Sequence, residues 1–174
     1  NYTDGTSNGR VSKGTAGAVS GTVGAEGGIS FSLSDTFFVS VNINWNPVDA
    51  SFKADDAANA DDVTVTFDDM TEVSIEPSFS ITDNSAFYVK AGMSEFTVSV
   101  TGSGVDAAQN FDVAGSSVGL GTKTVTDGGF YVKTEVGLTS YDGFTVINVG
   151  TNDGTSKISG IETAYGKILI GRKF

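Results

Sequence analysis

Residues 72–93, EVSIEPSFSITDNSAFYVKAGM, decide the fold. On the first arm Val73, Ile75, Pro77, Phe79 and Ile81 share one face and Glu72, Ser74, Glu76, Ser78 and Ser80 the other, a period of two held for ten residues. No helix can use that pattern. After a tight turn at Thr82, Asp83, Asn84 and Ser85, the second arm sets Phe87, Val89, Ala91 and Met93 against Tyr88, Lys90, Gly92 and Ser94. These polar faces consist of serine, glycine and single charges, whereas a strand facing open water favours Thr, Lys and Glu. The composition suits a narrow enclosed interior.

The same alternation extends outward from this hairpin. Upstream, Ala18 to Leu33 sets Val23, Ala25, Gly27, Ile29, Phe31 and Leu33 against Gly24, Glu26, Gly28, Ser30 and Ser32. Phe37, Val39, Val41, Ile43 and Trp45 then oppose Phe38, Ser40, Asn42, Asn44 and Asn46, and Pro47 ends the strand. Downstream, the apolar parity changes from odd (Phe87 to Met93) to even (Phe96, Val98, Val100), which predicts a bulge near Ser94 and Glu95. Ser116 to Thr126, Phe130 to Thr139 and Ile161 to Phe174 complete seven strands. Short turns near residues 35, 83 and 128 alternate with long acidic connections at 48–71, 101–115 and 140–159, the first with a strand extension at Val63 to Phe67 and the last with strand ends at Phe144 to Val149. Short turns at one end and long loops at the other are the layout of an outer-membrane barrel rather than of a sandwich.

Composition narrows the function. Glycine, Ser, Thr, Val and Phe are plentiful and helix formers sparse, which places the 174 residues in the all-β class as one domain, with residues 1–17 a weakly ordered arm or a first strand. A net charge of −11 excludes nucleic acid and anionic headgroups as partners. With no Cys and no His, disulfides, thiol catalysis, the usual triads and zinc sites are all excluded. No apolar run approaches the roughly 20 residues of a membrane helix, which leaves a barrel span open. The polar start at Asn1 reads as a mature or trimmed chain.

The charges sort by position. All fifteen Asp fall in the expected turns, loops or arm, where a short acid competes well for its own backbone. The polar strand faces carry Glu26, Glu72, Glu76 and Glu135 against Lys90, Lys123, Lys133 and Lys167. Four acids thus meet four bases in a chain of 21 acids and 10 bases. An exposed face would share the acidic bias of the loops, so these eight are candidate ion pairs inside a closed space. Trp45, Phe37, Phe130 and Tyr165 are candidate girdle residues at the membrane edges.

Four stretches, FSLSDTFFVSVNINW, the hairpin centres ITDNSAFYVKAG and VTDGGFYVKTEVG, and the ending AYGKILIGRKF, give a resemblance over residues 20–174. The chain resembles the small eight-stranded outer-membrane β-barrels, the family of the OmpA transmembrane domain, OmpX and the opacity-type proteins. The resemblance implies an antiparallel up-and-down transmembrane β-barrel of eight strands, with short periplasmic turns and long acidic external loops, in the outer membrane of a Gram-negative bacterium. It also implies that Phe174, with Ile170 and Ile168, signals to the barrel assembly machinery. Arg172 departs from the family pattern by standing where an aromatic is common. The missing first strand comes from residues 1–17, with Tyr2–Val11 the best candidate and the one assigned, or from a split of Ala18–Leu33.

No catalytic constellation is present. Glu72 and Glu76 stand about 13 Å apart by strand rise, too far to act on one bond, and GVGAEGG near residue 22 lacks the strand and helix of a dinucleotide site. The expected role is therefore structural or surface binding, with a filled interior, no open pore, no cofactor and no enzymatic activity. The candidate partners are outer-membrane lipid, the assembly machinery, a divalent cation at the acidic loop Asp55–Asp69 (which lacks a calcium-loop motif), and a second copy of the chain. The competing reading is a secreted β-sandwich or fibre subunit that self-associates by strand pairing. The two differ in where Val39, Val41, Ile43, Val73, Ile75, Val132 and Val136 point: outward in a barrel, inward in a sandwich.

Overall fold

The computed structural model describes residues 2–4, 13–14, 19–47, 50–56, 61–102, 108–148 and 154–173. Twelve strands and no helix occur among them: β1 (Tyr2–Asp4), β2 (Lys13–Gly14), β3 (Ala25–Ser32), β4 (Phe37–Asn46), β5 (Ala50–Asp56), β6 (Asp61–Thr82), β7 (Ser85–Gly102), β8 (Gln109–Val125), β9 (Phe130–Tyr141), β10 (Phe144–Asn148), β11 (Gly154–Ile158) and β12 (Ile161–Arg172). The main sheet is an antiparallel meander in the order β12, β9, β8, β7, β6, β4, β3, with β5 added beside the upper half of β6. A second, smaller sheet runs β10, β11, β1, β2.

The three tight turns stand where the sequence places them. Leu33 and Ser34 N–H both donate to the Phe37 carbonyl, Asn84 N–H donates to Thr82 Oγ1, and Thr126 N–H donates to the Phe130 carbonyl. Gly129 takes φ 78° in the last turn, a left-handed value that glycine reaches without strain.

Several expectations need correction. The stretches expected as long loops are largely strand. Residues 48–71 contain β5 and the upper half of β6, and β7 and β8 run on to Gly102 and back from Gln109. β10 and β11 pair as a hairpin within 140–159. Consequently Asp55, Asp56, Asp61, Asp62, Asp68, Asp69 and Asp112 lie in strands, not loops. Pro47 ends β4 after Asn46 as expected, and β5 takes up the pairing with β6 from Ala50↔Phe67 where β4 leaves it at Asn46↔Met70. The bulge is in β6: the register slips between Asp68 and Thr71, where Asp69 takes φ 51°, while β7 pairs with β8 without a break through Ser94 and Glu95. The first pattern, Ala18 to Leu33, forms a strand only from Ala25. Of the assigned first strand, Tyr2–Asp4 pairs with β11 in the small sheet and the remainder lies outside the described residues.

Among the described residues the main sheet has seven strands on its path, and it rolls without closing: no backbone pairing joins β3 to β12 there. The roll is tight enough that Lys167 on β12 reaches Glu26 on β3 at 3.0 Å, and Lys123 on β8 reaches Ser40 on β4 at 3.2 Å.

Candidate functional site

The pleat sends alternate residues to opposite faces, and on the rolled part of the sheet the polar set turns inward. Ser40, Asn42, Asn44, Ser74, Glu76, Ser78, Lys90, Ser117, Lys133 and Glu135 are buried. The apolar set turns outward and stays exposed: Val41, Ile43, Val73, Ile75, Val132 and Val136 all do so, Val136 with 56 % of its surface open. Val39 is half-buried on the same outward parity.

The eight charges singled out from sequence come together in one network. Lys90 bridges Glu72 at 2.8 Å and Glu135 at 2.7 Å. Lys133 bridges Glu26 at 2.7 Å, Glu76, and Glu135 at 3.6 Å. Lys123 meets Glu76 at 2.5 Å, and Lys167 meets Glu26 at 3.0 Å and Glu135 at 3.6 Å. Each acid and each base thus has a partner on a different strand. The side chains of Lys133 and Glu76 are 1 % and 0 % exposed, and removing charges this far from water is tolerable only when each is paired and hydrogen-bonded.

Hydroxyls add to the shells of Glu135 and Glu72. Tyr88 Oη donates to Glu135 Oε2 at 2.7 Å, Tyr165 Oη to Glu135 Oε1 at 2.9 Å, and Ser117 Oγ to Glu72 Oε1 at 2.7 Å. The ammonium groups of Lys123 and Lys133 each lie 4.9 Å from the centroid of the Tyr88 ring, and Lys90 lies the same distance from that of Tyr165. Tyr165 is therefore an interior residue and not a girdle one, a correction its parity with Lys167 explains.

One interior feature escaped the sequence reading. Tyr88, Tyr131, Tyr141 and Tyr165 each stand directly opposite a glycine of the neighbouring strand, namely Gly121, Gly171, Gly115 and Gly137. The rings lie across those glycines: a Cβ at Gly121 would come 2.6 Å from Tyr88 Oη, and one at Gly137 would come 2.5 Å from Tyr165 Oη. The glycines make room for rings that fill the interior. The signal was present as tyrosine and glycine on inward parity, but seeing it requires the strand register.

The outward face is zoned. Near the turn end Phe37, Phe79 and Phe87 stand side by side across three strands, with Phe31 and Phe130 exposed at the same end. Toward the loop end the outward residues become polar along a line through Thr71, Glu95, Ser116, Ser140 and Glu162, with Trp45 beside Thr71. Between these limits the outward residues of β9 run from Phe130 to Leu138. Ile168 and Ile170 belong to this belt, while Phe174 lies outside the described residues.

Above that line the polarity of the two faces reverses. Val65, Phe96, Val98, Val100, Val113, Tyr141, Phe144 and Val146 form a buried apolar cluster. Outward on the same strands, Thr97 Oγ1 donates to Asp112 at 3.3 Å and Ser99 Oγ to Asp68 at 3.0 Å. Phe96 stacks edge-on to Tyr141 with centroids 4.7 Å apart. In β7 this reversal occurs with no change of register, so the apolar parity shift that suggested a bulge reflects a change in what lies on each face. In β6 the bulge at Asp69 moves Val65 and Phe67 onto the inward side.

Among the described residues no group of three or more acids stands close enough to hold a metal ion. Comparison with protein-family models, curated proteins and solved structures finds no match for this chain.

Proposed function

We propose that this chain is an integral outer-membrane β-barrel whose membrane-embedded part is a filled structural plug and whose strand extensions present a rigid acidic surface outside the cell. The observation that carries the reading is the reversal of polarity along single strands. From Phe87 to Met93 β7 puts its apolar residues outward, and from Phe96 to Val100 it puts them inward. A strand in one solvent has no reason to do this. A strand that leaves lipid and enters water must, because the medium outside it changes from hydrocarbon to water. The belt length agrees, since nine residues of a strand tilted near 45° span the hydrocarbon of a membrane. Aromatic residues at both limits of the belt fit the two interfaces.

Among the described residues β3 and β12 are the end strands of the main sheet, which favours a second reading, a secreted subunit that self-associates by strand pairing. It leaves the outward belt unexplained, because soluble chains rarely expose apolar patches beyond a few hundred Å². Quenching of Trp45, the only tryptophan, separates the two. In vesicles, its fluorescence should be quenched most by lipids labelled near the headgroup and less by labels at the chain ends. A chain that stays monodisperse in buffer without detergent, with Trp45 untouched by either label, overturns the membrane reading.

A further inference from the structure

One hairpin of the sheet bends where its neighbours run straight. β7 pairs with β8 without a break from Ser85↔Thr124 to Val100↔Gln109. β9 and β12 pair as far as Tyr141↔Ile161, and β10 and β11 take up from Phe144↔Ile158 in the same register. They are therefore the arms of one long hairpin, interrupted over two rows in which Asp142 stands opposite Gly160 and Gly143 opposite Ser159. Each arm has a glycine in the gap. Gly160 takes φ 64°, a left-handed value that a side chain resists, and a Cβ at Gly143 would come 2.3 Å from the Ile158 carbonyl oxygen. The bend also turns the chain about its own axis. Tyr141 and Phe144 are both buried although three residues apart, where an unbroken strand would set them on opposite faces.

Beyond the bend the outer half of this hairpin lies over the apolar cluster instead of continuing the wall. Phe144 stacks on Phe111 with centroids 4.9 Å apart, Phe144 and Val146 are buried in one cluster with Phe96, Val98 and Val113, and Ile158 of β11 packs against it. Side chains do the holding. Among the described residues no strand pairing joins the small sheet to the main one, and at the bend Asp142 N–H donates to the Ala114 carbonyl at 2.8 Å. The facing layer of the cluster is held differently, because backbone ladders join β6, β7 and β8 along their extensions. One layer is thus tied by apolar packing and a two-glycine bend, the other by its own ladders. The first can leave the second with both sets of strand pairings intact.

We infer that β10 and β11, with β1 paired beside them, form a cap that swings as a unit on the bend at 142–143 and 159–160, covering and uncovering an apolar floor of Phe96, Val98, Phe111 and Val113 at the loop end. The floor and the underside of the cap are both apolar, so in water the closed form predominates, and the open form is a minor state that presents an apolar surface above the belt. The motion needs only the bend and the cluster, whatever surrounds the belt.

Thiol labelling tests it, since the chain has no cysteine and each variant then carries one. Val98→Cys, at a floor position with 0 % exposure, is treated in detergent micelles with a water-soluble maleimide, and its protection relative to a free thiol is compared with the hydrogen-exchange protection of the amides at 96–100. A swinging cap makes the thiol at least about 100-fold less protected than those amides, because the floor is reached without opening the ladder. Equal protection overturns the inference, and so does labelling of Ser78→Cys, buried in the belt interior, at the same rate, which would mean that the whole chain opens. Gly160→Ala, which strains the closed bend, should speed labelling of Val98→Cys about tenfold, whereas Gly160→Asn, which tolerates a left-handed φ, should leave it nearly unchanged. No change with either variant refutes the hinge. If Val98→Cys loses the heat-dependent gel shift, Val113→Cys on the neighbouring strand replaces it. Failure of the membrane reading shows separately, as a chain that needs no detergent, and the same labelling then runs in plain buffer.

Discussion

Replacing Lys133 with Met keeps most of the side-chain volume and removes one ammonium from the centre of the network. Glu76 then retains Lys123 at 2.5 Å and Glu26 retains Lys167 at 3.0 Å, but three bases face four acids in a space where Glu76 and Glu135 are 0 % exposed. Breaking a buried pair from one side costs about 3 to 5 kcal/mol. The surviving partners place Lys133→Met near the lower end, about 3 kcal/mol. Glu76→Gln alone should cost a similar amount by taking from Lys123 the carboxylate it bridges, while Lys133 keeps Glu26 and Glu135. The double variant restores charge balance and should be less damaging than the sum by about 2 kcal/mol. Lys157→Met, at an exposed position of β11, is the control and should change stability by less than about 0.5 kcal/mol. Urea-driven unfolding in vesicles, followed by the mobility difference between folded and boiled protein on gels, measures all four. A Lys133→Met cost below about 1 kcal/mol, the value for an exposed pair, refutes the buried network, and so does strict additivity in the double variant.

Val136→Arg, which sets a charge in the middle of the outward belt, should destabilise the vesicle-inserted protein by about 2 to 4 kcal/mol, and a neutral result in the same urea titration counts against lipid contact there. Planar-bilayer recordings should show no reproducible steps of porin size, because the paired charges and the four tyrosines occupy the interior. Gly121→Val should displace Tyr88 from Glu135 and lower the unfolding midpoint, whereas unchanged stability would show that the ring does not lie against that backbone. Phe96→Ala should remove about 3 to 5 kcal/mol from the cluster above the belt, and limited proteolysis should then cut near the β7–β8 connection while the heat-dependent gel shift is retained. Loss of the gel shift would mean that the cluster and the belt fold as one unit.

The alternation that sorts residues to two faces is a local property of the pleated chain, and it was legible at once from Val73 to Ile81 and from Phe130 to Leu138. The balance of four Glu against four Lys on one parity was equally local, and it identified the interior charges before any contact was known. The inward direction of Tyr165 was also legible, because it shares parity with Lys167, yet its aromatic character suggested the membrane edge. The rest depended on the assembled sheet. Which acid meets which base is set by how strands far apart in sequence stack their registers, as when Lys133 joins Glu26 from 107 residues away. The tyrosine and glycine pairs depend on the same registers. The parity shift after Met93 has two physical causes that a single strand cannot distinguish, an inserted residue or a change of surroundings, and both occur here, the first in β6 at Asp69 and the second in β7. The acidic stretches 48–71 and 140–159 read as loops because Asp disfavours strands in isolation. They became strands because neighbouring extensions offer hydrogen-bond partners and a shared apolar cluster, and those contributions come only from chain segments distant in sequence.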